Sequence, residues 1–289
     1  MTVDSNRPPW VNRGVQAPEP PLRAATKVVL YGAGALAVIA GPVLFLFPAD
    51  TGSYFAWKIG NPLTPNFMGA NYLAGAGAVW AALINRWSVP RVIMPAIITF
   101  GVSQLVATLL HIHIFKWEHP TAWAWLIVYI VSPIGAIWVY VVEERRWRRV
   151  AGEGRPIPPL ATKALLGFAV ASAVVGLGLF VAPTHVADIW PWSLTPLTAR
   201  VIGGWYLSGA VLQWMLFRTR DVATARVGLL ATVGVTVLQL LGAALQHSHF
   251  NGPSWAVALY VAYSAVLGLL AAAMLLPALL RPGLAVSER

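Results

Sequence analysis

Six histidines occur in 289 residues, and four of them form two short pairs, "HIHIF" at His111 and His113 and "HSHF" at His247 and His249. Neutral imidazole is the commonest metal ligand in proteins. Residues two apart on an α-helix point about 200° apart, so one pair grips one ion only where its helix has already ended. One histidine from each pair, facing its counterpart, would supply symmetric axial ligands to a haem, a divalent metal or a quinone pocket. Asp50, Glu118 and Asp188 fall on the same side of the chain's topology as His119, His185 and both pairs. The metal-site expectation is therefore His111, His113, His247 and His249.

A second set is uncharged. Asn71, Tyr72, Gln104, Tyr206, Gln213 and Gln239 lie inside long apolar runs, where amides and phenols either bond between helices or line a pocket for a small solute. The rest of the catalytic repertoire is missing. There is no cysteine, which excludes thiolate nucleophiles, disulfides and Cys-ligated clusters. No nucleophile–base–acid set or phosphate loop is present, and "GAGALA" at Gly32 sits within an apolar run rather than after a strand. The residues lean away from an enzyme.

The elements that must position these side chains follow from composition. Apolar residues make up 58% of the chain and charged ones 10%, against roughly a quarter charged in a soluble domain. Eight apolar runs, about 25–47, 65–84, 92–114, 121–142, 160–182, 199–217, 227–249 and 255–280, are each long enough to cross a bilayer. Helix is the form expected of them, since a spanning backbone has no water to bond. The net charge of +10 is spread between these runs, so it orients helices rather than binding nucleic acid. Seventeen Lys and Arg fall on one side of an eight-span topology. Only Lys58, Lys116 and Arg200 fall on the other, which places both termini in the cytoplasm of a plasma (inner) membrane protein. Trp117, Trp123, Trp125, Trp190, Trp192 and Trp255 are expected in one interfacial belt, and Trp87 and Trp147 in the other.

The chain also repeats itself. "PLTPNFMGANYLAGAGAVW" from Pro62 returns as "PLTARVIGGWYLSGAVLQW" from Pro196, and "LRAATKVVL" from Leu22 as "PLATKALL" from Pro159. The fold expected is all-α, two parallel four-helix repeats related by a pseudo-two-fold axis along the membrane normal. Residues 1–24 are expected to form a disordered cytoplasmic tail, 25–142 the first repeat, 143–159 a basic cytoplasmic linker, 160–281 the second repeat and 282–289 a second cytoplasmic tail. Thr64 and Thr198 are the expected N-caps of the duplicated helix, and Pro42, Pro95 and Pro133 the expected kink sites. The four-plus-four plan resembles haem A synthases in architecture. That family carries histidines, commonly followed by arginine, on helices two, four, six and eight. Here the pairs end the third and seventh runs, so no residue carries over.

Three function classes fit. One is a binding or transport module for a small apolar or amphiphilic solute held between the repeats. Another is a redox subunit that holds haem or a metal on the histidines beside a partner membrane subunit. The third is a structural or assembly subunit.

Overall fold

A computed structural model describes residues 19–147, 156–219 and 221–279. Among these residues the chain is helical, without strands, and an isolated bridge joins Pro156 to Asp221. The first half contains α1 (Ala24–Leu46), α2 (Thr51–Tyr54), α3 (Leu63–Gly75), α4 (Gly77–Ile84), α5 (Pro90–Leu110) and α6 (Pro120–Arg146). The second contains α7 (Pro159–Val181), α8 (Pro183–Ala187), α9 (Pro196–Arg218), α10 (Val222–Leu245) and α11 (Ser254–Leu279). A 3₁₀ turn follows α5 at Ile112–Ile114, and another follows α10 at His247–His249.

Seven helices, counting α3 and α4 as one, are long and apolar enough to cross a membrane. The eighth expected span, α9, is as long but falls short in apolarity, because it carries Arg200, Gln213 and Arg218. Its position accounts for that composition. It packs along α7 on one side and α5 on the other, so neighbouring helices rather than lipid cover much of it.

The packing is set by small residues. A Cβ on Gly69 would lie 2.6 Å from the Phe45 amide nitrogen, and one on Gly203 would lie 2.9 Å from the Gly176 carbonyl. Only glycine lets α3 meet α1, and α9 meet α7, at this separation. The halves join crosswise: α3 runs against α10 and α5 against α9, while α6 closes on α5 and α11 on α10.

Several local expectations change. The N-cap of α9 is Thr195, whose Oγ1 accepts the Thr198 amide at 3.2 Å while Thr198 Oγ1 accepts the Thr195 amide at 2.8 Å. Thr64 caps nothing; its hydroxyl accepts the Trp192 indole at 2.8 Å. Trp125, Trp190 and Trp192 are buried in aromatic cores, as is Trp57, and Trp87 is buried among Leu22, Leu30, Met94 and Val139, whereas Trp123 and Trp255 are exposed. Clusters around Trp57, Phe55, Phe115 and Trp125, and around Phe67, Trp190, Trp192 and Tyr260, fill the end of the bundle where α5 and α10 finish. Of the segment expected to be a tail, residues 1–18 lie outside the described residues. Glu19 and Leu22 touch the bundle: Glu19 accepts the Ser88 amide at 2.5 Å, and Leu22 is buried and donates to Asn85 Oδ1 at 3.1 Å. Asn85 ends α4 in the left-handed conformation that this short amide tolerates.

Candidate functional site

The helix break between α3 and α4 falls halfway along a potential span. At Gly75-Ala76-Gly77 the backbone ladder tightens: the Ala76 amide reaches the Leu73 carbonyl at 3.2 Å, and the Val79 amide reaches Ala76 at 3.0 Å. In an unbroken helix Val79 would bond to Gly75, so the Gly75 carbonyl gives up that donor. The duplicated stretch has Gly209-Ala210-Val211 at this point, and α9 runs through it unbroken.

Beside the break lies a cavity of about 230 Å³, walled by both halves. Ala33, Leu36 and Ala37 of α1 face it, as do Gly75 and Gly77 at the break, and α5, α6, α9, α10 and α11 complete the wall. Four aromatic rings form one side. Phe100 and Trp205 stack at 3.7 Å, Tyr72 sets its edge on Trp205 at 5.1 Å, and Tyr129 packs edge-on to Phe100 at 5.6 Å. The Tyr72 and Tyr129 hydroxyls bond to each other. One proton satisfies that bond, so the accepting hydroxyl keeps its own O–H for something else. The Trp205 indole N–H is buried and has no partner, a cost of about 1–3 kcal/mol unless an acceptor meets it.

A smaller cavity of about 60 Å³ adjoins the first and shares Asn71, Trp205, Gly209 and Gln213 with it. Here three of the polar side chains satisfy one another. Ser172 donates to Gln213 Oε1 at 3.0 Å, Gln213 Nε2 donates to the Tyr263 hydroxyl at 3.1 Å, and Tyr263 closes the ring on Ser172 at 2.5 Å. Gln239 accepts from Ser264 at 3.2 Å. No Asp, Glu, Lys, Arg or His lines either space.

The expected pocket residues therefore divide. Asn71, Tyr72 and Gln213 line the larger cavity, and Asn71, Tyr206, Gln213 and Gln239 the smaller. Gln104 lines neither. It is wholly buried, donates to the Val201 carbonyl at 3.0 Å, and leaves its own Oε1 without a partner. Sequence reasoning missed Trp205, Tyr129, Tyr263 and Ser172. A usable signal existed for the tyrosines: Tyr129 and Tyr263 are separated by the same interval as Tyr72 and Tyr206.

The histidines are arranged differently. His111 caps the end of α5, and its Nε2 meets the Arg200 guanidinium at 2.6 Å, while Arg200 Nε donates to the Phe180 carbonyl at 3.1 Å. Guanidinium offers only donors, so His111 accepts and is neutral, with its proton on Nδ1. Burial first, then the Arg200 charge, then His113 hold its pKa below the usual 6.5. The His111 and His113 rings are 6.3 Å apart. His247 Nδ1 faces the Ala244 carbonyl at 3.2 Å, and His249 Nδ1 faces Ser248 at 3.4 Å. Just as His111 ends α5, Gln246 ends α10, so the following turns put His113 in register with Ser248 rather than with a histidine. Among the described residues no three His, Asp or Glu side chains converge to hold a metal ion. Comparison with protein-family models, curated proteins and solved structures finds no match for the chain.

Proposed function

We propose that the chain is a membrane-embedded binding or transport module for a small, uncharged apolar or amphiphilic solute, held in the cavity between its two halves. The observation that carries this reading is the cavity itself. It lies at the mid-length of the helices, is walled by both halves and is largely apolar, with the rings of Tyr72, Phe100, Tyr129 and Trp205 along one side and a phenolic O–H in the Tyr72–Tyr129 pair left without an acceptor. Pockets of this make-up, apolar with a few convergent polar groups, are the common form of small-molecule sites. A cavity of about 150 Å³ already holds benzene. The missing ionised group at depth argues against coupling to protons or sodium.

The topology belongs to the same proposal. We read α9 as an eighth span, shielded from lipid by α5 and α7, and the two halves as parallel repeats with both termini on the cytoplasmic side of the plasma membrane. The recurring element order, the matched Gly69 and Gly203 contacts and the crosswise packing support this reading, as does the positive-inside charge bias. The haem or metal reading draws less support, because His111 is already held by Arg200.

Two experiments test the proposal. An organic extract of the purified full chain should contain a neutral lipid-soluble compound that is lost from Gly209→Leu. No such compound, or an unchanged yield from the variant, would count against the cavity. In this cysteine-free chain, Glu118→Cys should react with an impermeant maleimide on intact cells and Arg86→Cys only after permeabilisation. The reverse pattern refutes the orientation.

A further inference from the structure

The cavity's position relative to the bilayer narrows what enters it and by which route. Leu36 lies 12 residues from the start of α1 and 10 from its end, roughly 18 Å and 15 Å at ~1.5 Å per residue. A hydrocarbon core is ~30 Å thick, so Leu36 sits near its middle. It faces the cavity, yet it is 41% exposed and borders the apolar outer face of α1 with Val38 and Ile39. The neighbouring wall is α6, through Val128 and Ser132, again near that helix's midpoint. The two helices touch below this level, where Gly135 faces Val29 and Glu143 accepts from Thr26. At the level of Leu36 the cavity separates them.

Resting on the cavity-binding reading above, we propose that the ligand enters sideways from the hydrocarbon core, between α1 and α6, and that it is an uncharged, membrane-dissolved molecule bearing a carbonyl oxygen. The wall holds no charged residue, so an ionised head would be stranded there. Two donors beside the wall are unspent, the Trp205 N–H, itself covered by protein, and one hydroxyl of the Tyr72–Tyr129 pair, both in the same ring cluster; of the other polar lining residues, Asn71 donates to the Phe67 carbonyl at 2.8 Å, and Ser132 offers a hydroxyl near the opening. A carbonyl accepts two hydrogen bonds and so matches this pair. Ser208 and Thr232 do not compete, since they donate to the Ala96 and Gly228 carbonyls at 2.8 Å each.

Benzophenone, a neutral diaryl ketone that cross-links on irradiation, serves as the probe, dissolved in nanodiscs holding the full chain. In the natural chain, saturable adducts should map to the wall around Leu36, Ser132 and Trp205. Leu36→Trp, which adds bulk at the opening, should cut cavity labelling about tenfold, while Ile39→Trp on the outer face of α1 leaves it unchanged. Trp205→Phe keeps a ring and removes the donor, and should raise the half-saturating concentration about fivefold, the equivalent of one hydrogen bond of ~1 kcal/mol. Cavity labelling that Leu36→Trp leaves intact overturns side entry while the cavity-binding reading stands. An unchanged half-saturation in Trp205→Phe overturns the carbonyl assignment. Adducts confined to outward residues such as Ile39 and Val131, alike in every variant, bring down the cavity-binding reading as well.

Discussion

Gly209 is the position at which the cavity can be interrogated without disturbing the fold. It lies in the middle of α9, lines both cavities, and a Cβ built on it meets no atom within 4 Å. Glycine inside a helix costs roughly 0.5–1 kcal/mol relative to alanine. With no steric term to oppose it, Gly209→Ala should stabilise the protein by about that amount and raise its melting temperature by roughly 1–3 °C. Gly209→Leu sends three more carbon atoms into the space and should hold stability near or above that of the natural chain while abolishing solute binding. The contrast is Gly203, about 1.7 turns away on the same helix. A Cβ there would lie 2.9 Å from the Gly176 carbonyl and 3.1 Å from the Phe180 amide nitrogen, backbone atoms that cannot step aside. Gly203→Ala should cost about 1–3 kcal/mol as an overpacked contact. Thermal unfolding of the purified chain, followed by intrinsic tryptophan fluorescence, reads all three variants, with bound solute measured in parallel. If Gly209→Ala destabilises the chain as Gly203→Ala does, the open space beside α9 does not exist and the argument for the cavity fails. A stable Gly209→Leu that still binds solute would place the site elsewhere.

His111 sets a pH dependence. Its pKa is lowered in the fold, so the folded chain binds this proton less readily than the unfolded one. The stabilisation is present above about pH 6.5 and is lost as pH falls below it. Melting temperatures at pH 7.5 and 5.5 should differ in the natural chain and converge in His111→Gln, which keeps an acceptor for Arg200 but does not titrate; an equal difference in both refutes the assignment. Glu143, 4% exposed, accepts from Thr26 Oγ1 at 2.6 Å and from the Arg23 amide at 3.1 Å, pinning the start of α1 to the end of α6. Glu143→Ala leaves both donors unserved and should cost about 1–3 kcal/mol in thermal unfolding, whereas Glu143→Gln, with one acceptor retained, should lose less.

The sequence by itself determined the elements of this protein. Runs of apolar residues too long for a soluble core leave helix as the only backbone form that satisfies its own polar groups in lipid, and those runs became the long helices of the structure. The duplicated pair Gly69 and Gly203, too, is legible as a place of close approach between helices, whereas Gly209, the counterpart of Gly75, faces open space. What a single chain of letters does not contain is which face of each helix meets which neighbour. Tryptophan suits an interfacial belt and an aromatic core equally well, and only the packing of α3, α9 and their loops put Trp125, Trp190 and Trp192 inside. Gln104 and Gln239 lie equally far from the ends of α5 and α10, at Leu110 and Leu245, yet Gln104 is spent on the Val201 carbonyl while Gln239 borders a cavity. Arg200, read from sequence as one of three charges on the minority side, reaches His111 across the boundary between the halves and takes up one of the four histidines expected to hold a metal. These outcomes rest on distances of a few ångströms between residues far apart in the chain. The crosswise docking of α3 on α10 and of α5 on α9 sets those distances, and with them the space that remains between the two halves.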